Sequence, residues 1–168
     1  MKRSQYLAPL SREHLSALIL VYCLKHGRSS NPKYPWPTSA EQQRDKVLQM
    51  WEQELCWHFQ AEERYLFGPF KAQLSPALQT LTQQLLQEHA EIEATILSLH
   101  QREGASLSKA LQSLGHQLVK HVRNEERVYF EGLQKEISEH DLSTAYANIS
   151  QLYAQREPVF CIFTGAPK

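Results

Sequence analysis

Three long stretches of this chain place an apolar residue at every third or fourth position, and each interrupts its stripe with a histidine. Between 39 and 67 the stripe runs Leu48, Trp51, Leu55, His58, Glu62, Tyr65. Between 76 and 100 it runs Leu78, Leu81, Leu85, His89, Ile92, Ile96, Leu99. Between 106 and 135 it runs Leu111, Leu114, Leu118, His121, Glu125, Val128. Steps of three and four describe one face of an α-helix. No alternation of period two persists beyond a few residues, so the expected class is all-α: an up-down-up-down four-helix bundle with a short additional C-terminal helix and an apolar tail.

Local signals set the expected boundaries. A first helix is expected from Ser11, a residue able to cap free amides, to Gly27, which suits a left-handed stop. Three prolines in RSSNPKYPWPTS, 28–39, forbid helix there and make a connector, with Tyr34 and Trp36 covering a bundle end. The second helix is expected from Ser39 to Phe67, broken by GPF, the third from Pro76 to His100, and the fourth from Ser106 to Lys135. Leu142, Tyr146, Ile149, Leu152 and Tyr153 predict a fifth, shorter helix. The bundle is thus expected over about 10–136 of a single domain, with the last helix and tail over about 138–168.

At 168 residues the chain is long enough to bury its own core. Lysine plus arginine number 18 and aspartate plus glutamate also 18, so the charge balance gives no footprint for nucleic acid or an anionic membrane. No segment approaches the ~20 apolar residues of a membrane span, and the start lacks a signal-peptide core, which predicts a cytoplasmic location. Cys23, Cys56 and Cys161 have no CxxC spacing and are read as small buried apolar residues.

The chemistry lies in a repeat. HFQAEERYLF at 58–67 is echoed by HVRNEERVYF at 121–130: histidine, three residues, Glu-Glu-Arg, and a closing phenylalanine. A single His-x-x-x-Glu pair is ordinarily a solvated ion pair. Here, on the expected boundaries, His58, His89 and His121 lie within about one turn of a common height, and His14 sits at the matching end of the first helix. Four histidines with Glu62 and Glu125 in one core layer would cost much of a stability of roughly 5 to 15 kcal/mol unless they share a partner. A cation suits both residue types. Imidazole with carboxylate and no thiolate favours iron, manganese or zinc, and two facing glutamates can bridge two ions.

These residues resemble the hemerythrin-like family, the HHE cation-binding domains. The likeness covers roughly 10–135 and rests on His14, HFQAE at 58–62, His89 and HVRNE at 121–125. It implies a four-helix bundle around a non-heme di-iron centre, two oxo- or hydroxo-bridged and carboxylate-bridged Fe ions, with Glu62 and Glu125 bridging and the histidines as terminal ligands. It also implies dioxygen, nitric oxide or peroxide as the small ligand, or iron buffering. Two features depart from the oxygen carriers. Their third helix has His-x-x-x-His where QEHAEIEA puts Glu93, and they close on an aspartate five after the last histidine where Glu125 is four after His121. Glu93 can replace the missing histidine, leave the position to water, or face solvent.

Other residues have plainer readings. Glu63 and Glu126 are expected as solvated partners of Arg64 and Arg127, and Tyr65 and Tyr129 as hydrogen-bond donors one turn from the metals. Phe67 and Phe130 are expected to pack beyond the site, and His26, His100, His116 and His140 to be solvated. Two other function classes remain: a di-iron enzyme acting on peroxide or nitric oxide or in iron-sulfur cluster repair, and an interaction module with a structural metal. For the latter, the tail PVFCIFTGAPK would be the contact with a protein partner or a second copy.

Overall fold

In the computed structural model, residues 3–156 are described; the apolar tail at 158–168, expected as a partner contact, and Cys161 lie outside the described residues. The regular elements of the described chain are all helical, without strands. It contains α1 (Ala8–His26), α2 (Ala40–Met50), α3 (Cys56–Glu62), α4 (Gly68–Phe70), α5 (Pro76–Ser98), α6 (Gly104–Asn124), α7 (Phe130–Glu136) and α8 (Glu139–Tyr153). No helix among these residues is long and apolar enough to cross a membrane.

The caps show why the helices start and stop where they do. Gly27 ends α1 at φ 62°, donating its N–H to the Cys23 carbonyl in a conformation that suits a residue without Cβ. Ser39 accepts a hydrogen bond from the Gln42 amide, and Ser138 accepts one from that of Asp141. Pro76 occupies the first turn of α5. Two starts differ from expectation. Helix α1 begins at Ala8 rather than Ser11 because Pro9 is preorganised for a first turn, and α6 begins at Gly104 rather than Ser106.

The second and fourth long helical stretches are continuous but not uniform. Wider π turns at Trp51–Leu55 and Glu63–Phe67 join α2, α3 and α4, and another at Glu125–Tyr129 joins α6 to α7. GPF therefore does not break the helix at Phe67. Gly68 donates to the Glu63 carbonyl five residues back, so the ladder has already slipped one residue before Pro69, whose missing N–H falls in the first turn of α4. A Cβ at Gly68 would lie 3.2 Å from that same carbonyl oxygen, tight enough to strain the slipped turn.

The apolar core divides into two clusters. One contains Leu20, Met50, Phe59, Ile96, Leu111 and Leu118; the other contains Leu10, Leu66, Leu85, Tyr129, Phe130 and Leu133. Trp36 of the connector is buried in the first, and Leu142, Ala145, Ile149 and Leu152 bring α8 onto the second. Tyr146, expected on the buried stripe of this helix, is 38% exposed, and Ala145 faces the core in its place. Cys23 is buried in the first cluster, whereas Cys56 is half-buried. In chain order, α1 passes from second cluster to first, the stretch 40–70 from first to second, α5 from second to first, and α6 with α7 from first to second. Each crosses between clusters at a buried histidine.

Candidate metal centre

His14, His58, His89 and His121 are all buried, and Glu62 and Glu125 are 0% exposed. Their donor atoms form two groups, His14, His58, Glu62, Glu125 and Glu62, His89, His121, Glu125, the atoms of each lying within 4.8 Å of one another. Both glutamates belong to both groups. His58 Nε2 lies 2.9 Å from His14 Nε2, and His89 Nε2 lies 3.1 Å from His121 Nε2. Glu62 reaches toward His58 at 3.3 Å through one oxygen and His89 at 3.4 Å through the other. Glu125 Oε2 is 3.1 Å from His14 Nε2 and 3.2 Å from His121 Nε2.

A second ring of carboxylates orients the imidazoles. Nδ1 of His14 faces Glu126 at 2.7 Å, that of His58 faces Glu13 at 3.0 Å, that of His89 faces Glu63 at 2.8 Å, and that of His121 faces Glu88 at 3.2 Å. A carboxylate only accepts, so each bond puts a proton on Nδ1 and leaves the Nε2 lone pair pointing inward. With Nδ1 carrying the proton, no histidine donates to Glu62 or Glu125, whose four oxygens are then without a hydrogen-bond partner among the described residues. Four imidazole lone pairs and four orphaned carboxylate oxygens thus converge in a dry layer with no donor among them. Acceptors packed against acceptors repel unless a positive charge sits between them, so this donor set fits divalent or trivalent cations held by nitrogen and oxygen.

With no cation, protons must take that place. Burial opposes a charge on His14, but bonds to Glu125 and Glu126 outweigh it and raise its pKa. Burial likewise opposes a charge on His121, and Glu125 and Glu88 push it up to about 9. Their partners go the other way: burial lowers His58, and burial holds His89 down to about 4. Burial and then the charge of Glu125 raise Glu62 well above the usual carboxylate range. Burial would raise Glu125 too, but the charge and hydrogen bonds of His121 and His14 hold it well below. In the outer ring, burial opposes ionisation of Glu13, Glu88 and Glu126, yet bonds to their histidines hold each at about 2.

The repeated decapeptide is now explained residue by residue. Its histidine and first glutamate face the centre, and its second glutamate reaches the Nδ1 of a histidine on another helix. Glu63 and Glu126 are therefore not the solvated partners of Arg64 and Arg127, both of which are exposed. Helix geometry turns them about 100° from Glu62 and Glu125, away from the centre and toward histidines of neighbouring helices, and π turns follow at Glu63–Phe67 and Glu125–Tyr129. Phe67 and Phe130 do not pack beyond the site: Phe67 lies 5.5 Å from the His89 ring and Phe130 5.7 Å from that of His14. Phe59 stacks on His89 at 3.7 Å.

Glu93 is exposed and belongs to neither group. The buried face of α5, with Leu85, Ile92 and Ile96, is centred on the Ile92 side of His89, so the further step of about 40° to Glu93 leads out of the core. Tyr65 is half-buried, and the Tyr129 hydroxyl makes no hydrogen bond to the centre. The tyrosine that reaches the outer ring is Tyr153 of α8, whose hydroxyl donates to Glu13, beside Arg156 at 3.0 Å. Arg3 similarly donates to Glu126 at 2.8 Å. Sequence reading missed these and also Glu54, buried four residues before His58. Glu54 lines a cavity of about 10 Å³ with His14, His58 and His121. His26, His100, His116 and His140 are exposed, as expected.

The family model of the hemerythrin HHE cation-binding domain matches residues 11–133, most of the chain and all six residues of the centre. The chain belongs to the hemerythrin family. Comparisons with curated proteins and with solved structures give no match. Membership makes this a metal-binding domain, and the two His/Glu groups could hold an ion through nitrogen and oxygen together. The matched span ends before α8, so the bonds from Tyr153 and Arg156 onto Glu13 reach the domain's outer ring from beyond it.

Proposed function

We propose that His14, His58, His89, His121, Glu62 and Glu125 hold a dinuclear non-heme iron centre in an up-and-down four-helix bundle, and that the centre binds dioxygen, nitric oxide or peroxide for sensing or storage. The observation that carries this is the sharing of both glutamates between two groups of donors. One ion would leave half of the donors orphaned in a dry core, whereas two ions bridged by Glu62 and Glu125 use them all. The alternating order of the two core clusters along successive helices supports the antiparallel arrangement. Iron bound there would supply reversible redox and ligand-binding chemistry.

The chain's own residues set who reaches it. The cavity of about 10 Å³ beside His14, His58 and His121 has room for one water-sized molecule. Leu55, Phe59, Leu118 and Val122 line it and exclude bulk water, which restricts ligands to diatomics and other very small species. Glu54 places one carboxylate in the lining of the same cavity.

Metal analysis of anaerobically purified, iron-supplied protein, with absorption spectra before and after air, tests this reading. About two irons per chain and new near-ultraviolet and visible bands on exposure to air are expected. One metal per chain, or stoichiometric zinc without bands from cells supplied with iron, would overturn it.

A further inference from the structure

Helix α1 packs against α6, and a groove of about 480 Å³ opens between them. That volume lies in the range of small-molecule sites rather than of a flat surface. Gly115 is buried at the contact between the helices: with no side chain of its own, it leaves the groove open, and a Cβ there would lie 3.6 Å from that of Leu24. Leu18, Val21 and Val119 give the groove apolar walls, and the Tyr22 ring lies 4.5 Å from that of His26.

The charged lining has one sign. Lys25 and Arg123 border the groove, with His26, His116, Gln112 and Tyr22 as the remaining polar groups. No acidic residue among the described ones lines it. Helix α6 has no aspartate or glutamate anywhere between Gly104 and Asn124, and the only acid of α1, Glu13, is turned to His58. Neither Lys25 nor Arg123 has an ion pair among the described residues, unlike Lys120 on the same helix, which pairs with Glu88 at 2.8 Å. Complementing a helix dipole accounts for Lys25 and His26 in the last turn of α1, but His116 stands in the middle of α6.

We infer that the groove between α1 and α6 binds a small amphiphilic organic anion, a carboxylate or sulfonate attached to an apolar body. The apolar body would lie along Leu18, Val21 and Val119, and the anionic group would take charge-assisted hydrogen bonds from the unpaired cations at the rim. The site is separate from the metal centre and stands whether or not the centre holds iron.

Calorimetric titration of the metal-loaded full chain with decanoate, and with decanol as its uncharged counterpart, tests the inference. One decanoate per chain is expected, with decanol at least about tenfold weaker, the worth of one hydrogen bond to a charged group. Lys25→Glu together with His116→Glu should weaken decanoate by about tenfold or more, with metal content and helix content unchanged. Should that pair lose helix content, His116→Gln combined with Lys25→Met carries the same comparison. No decanoate binding, equal binding of decanol, or binding indifferent to these substitutions would overturn the inference. So would co-sedimentation with phosphatidylglycerol vesicles in a protein that ignores decanoate.

Discussion

Glu63 accepts a hydrogen bond from Nδ1 of His89 at 2.8 Å, across two helices, although its neighbour Glu62 faces the same histidine from the other side of the ring. Consecutive glutamates thus serve opposite nitrogens of one imidazole. Glu126 and Glu125 treat His14 in the same way. This arrangement fixes the histidine tautomers before any metal arrives, and it is the basis of the first expectation.

Removing the charge of an outer carboxylate should weaken metal binding without unfolding the protein. Glu63→Gln and Glu126→Gln are each expected to lower metal affinity about 10- to 100-fold, measured by competition with a chromophoric chelator. Glu63 has a side chain 42% exposed, and helix content should be unaffected by its replacement. Unchanged affinity in both variants would show that the outer ring is decorative.

Truncating an inward histidine should act on metal content and stability together. In His58→Ala or His121→Ala, iron bound per chain should fall, and the rise in melting temperature that iron confers on the unsubstituted protein should shrink or vanish. Full iron content with an undiminished rise in both variants would remove these residues from the centre.

Glu93→Gln is expected to change neither metal stoichiometry nor the absorption spectrum, because the residue is exposed and off the buried face of α5. A shifted charge-transfer band would place its carboxylate on a metal.

Protons and metal should compete. In the metal-free protein the His121 pKa is pushed up to about 9, against an ordinary value near 6.5. A raised histidine contributes stability that is fully present below about 6.5 and lost as pH rises through about 9. Melting temperature of the chelator-treated protein should therefore fall between pH 6.5 and 9, while that of the metal-loaded protein should hold. Glu62 and His14, also raised, act in the same direction, so metal binding at pH 7 should release protons, and affinity should climb with pH across this window. Binding without proton release, read with an indicator dye in weak buffer, would contradict the proton-filled centre.

Much of the fold was legible because it depends on short-range signals. Gly27 and Pro76 act within one turn, and the stripes of Leu111, Leu114 and Leu118 or of Leu85, Ile92 and Ile96 show their buried face by spacing alone. The inward His and Glu were legible for the same reason, since they stand on those stripes. Glu93 stayed open in the sequence because four residues is a helical repeat only to within about 40°, and whether that margin stays in the core depends on where the neighbouring helix lies.

The sequence by itself determined that the chain is helical, which faces are apolar, and which four histidines and two glutamates lie on those faces, because periodicity is a property of one helix at a time. The tertiary structure alone decided the pairings: Glu63 with His89, Glu126 with His14, Glu13 with His58 and Glu88 with His121 join residues on different helices. It also decided the π turns after Glu62 and after Asn124. Local propensity carries no record of such a turn. The bonds of Glu63 and Glu126 lie between residues far apart in sequence, where periodicity along one helix says nothing.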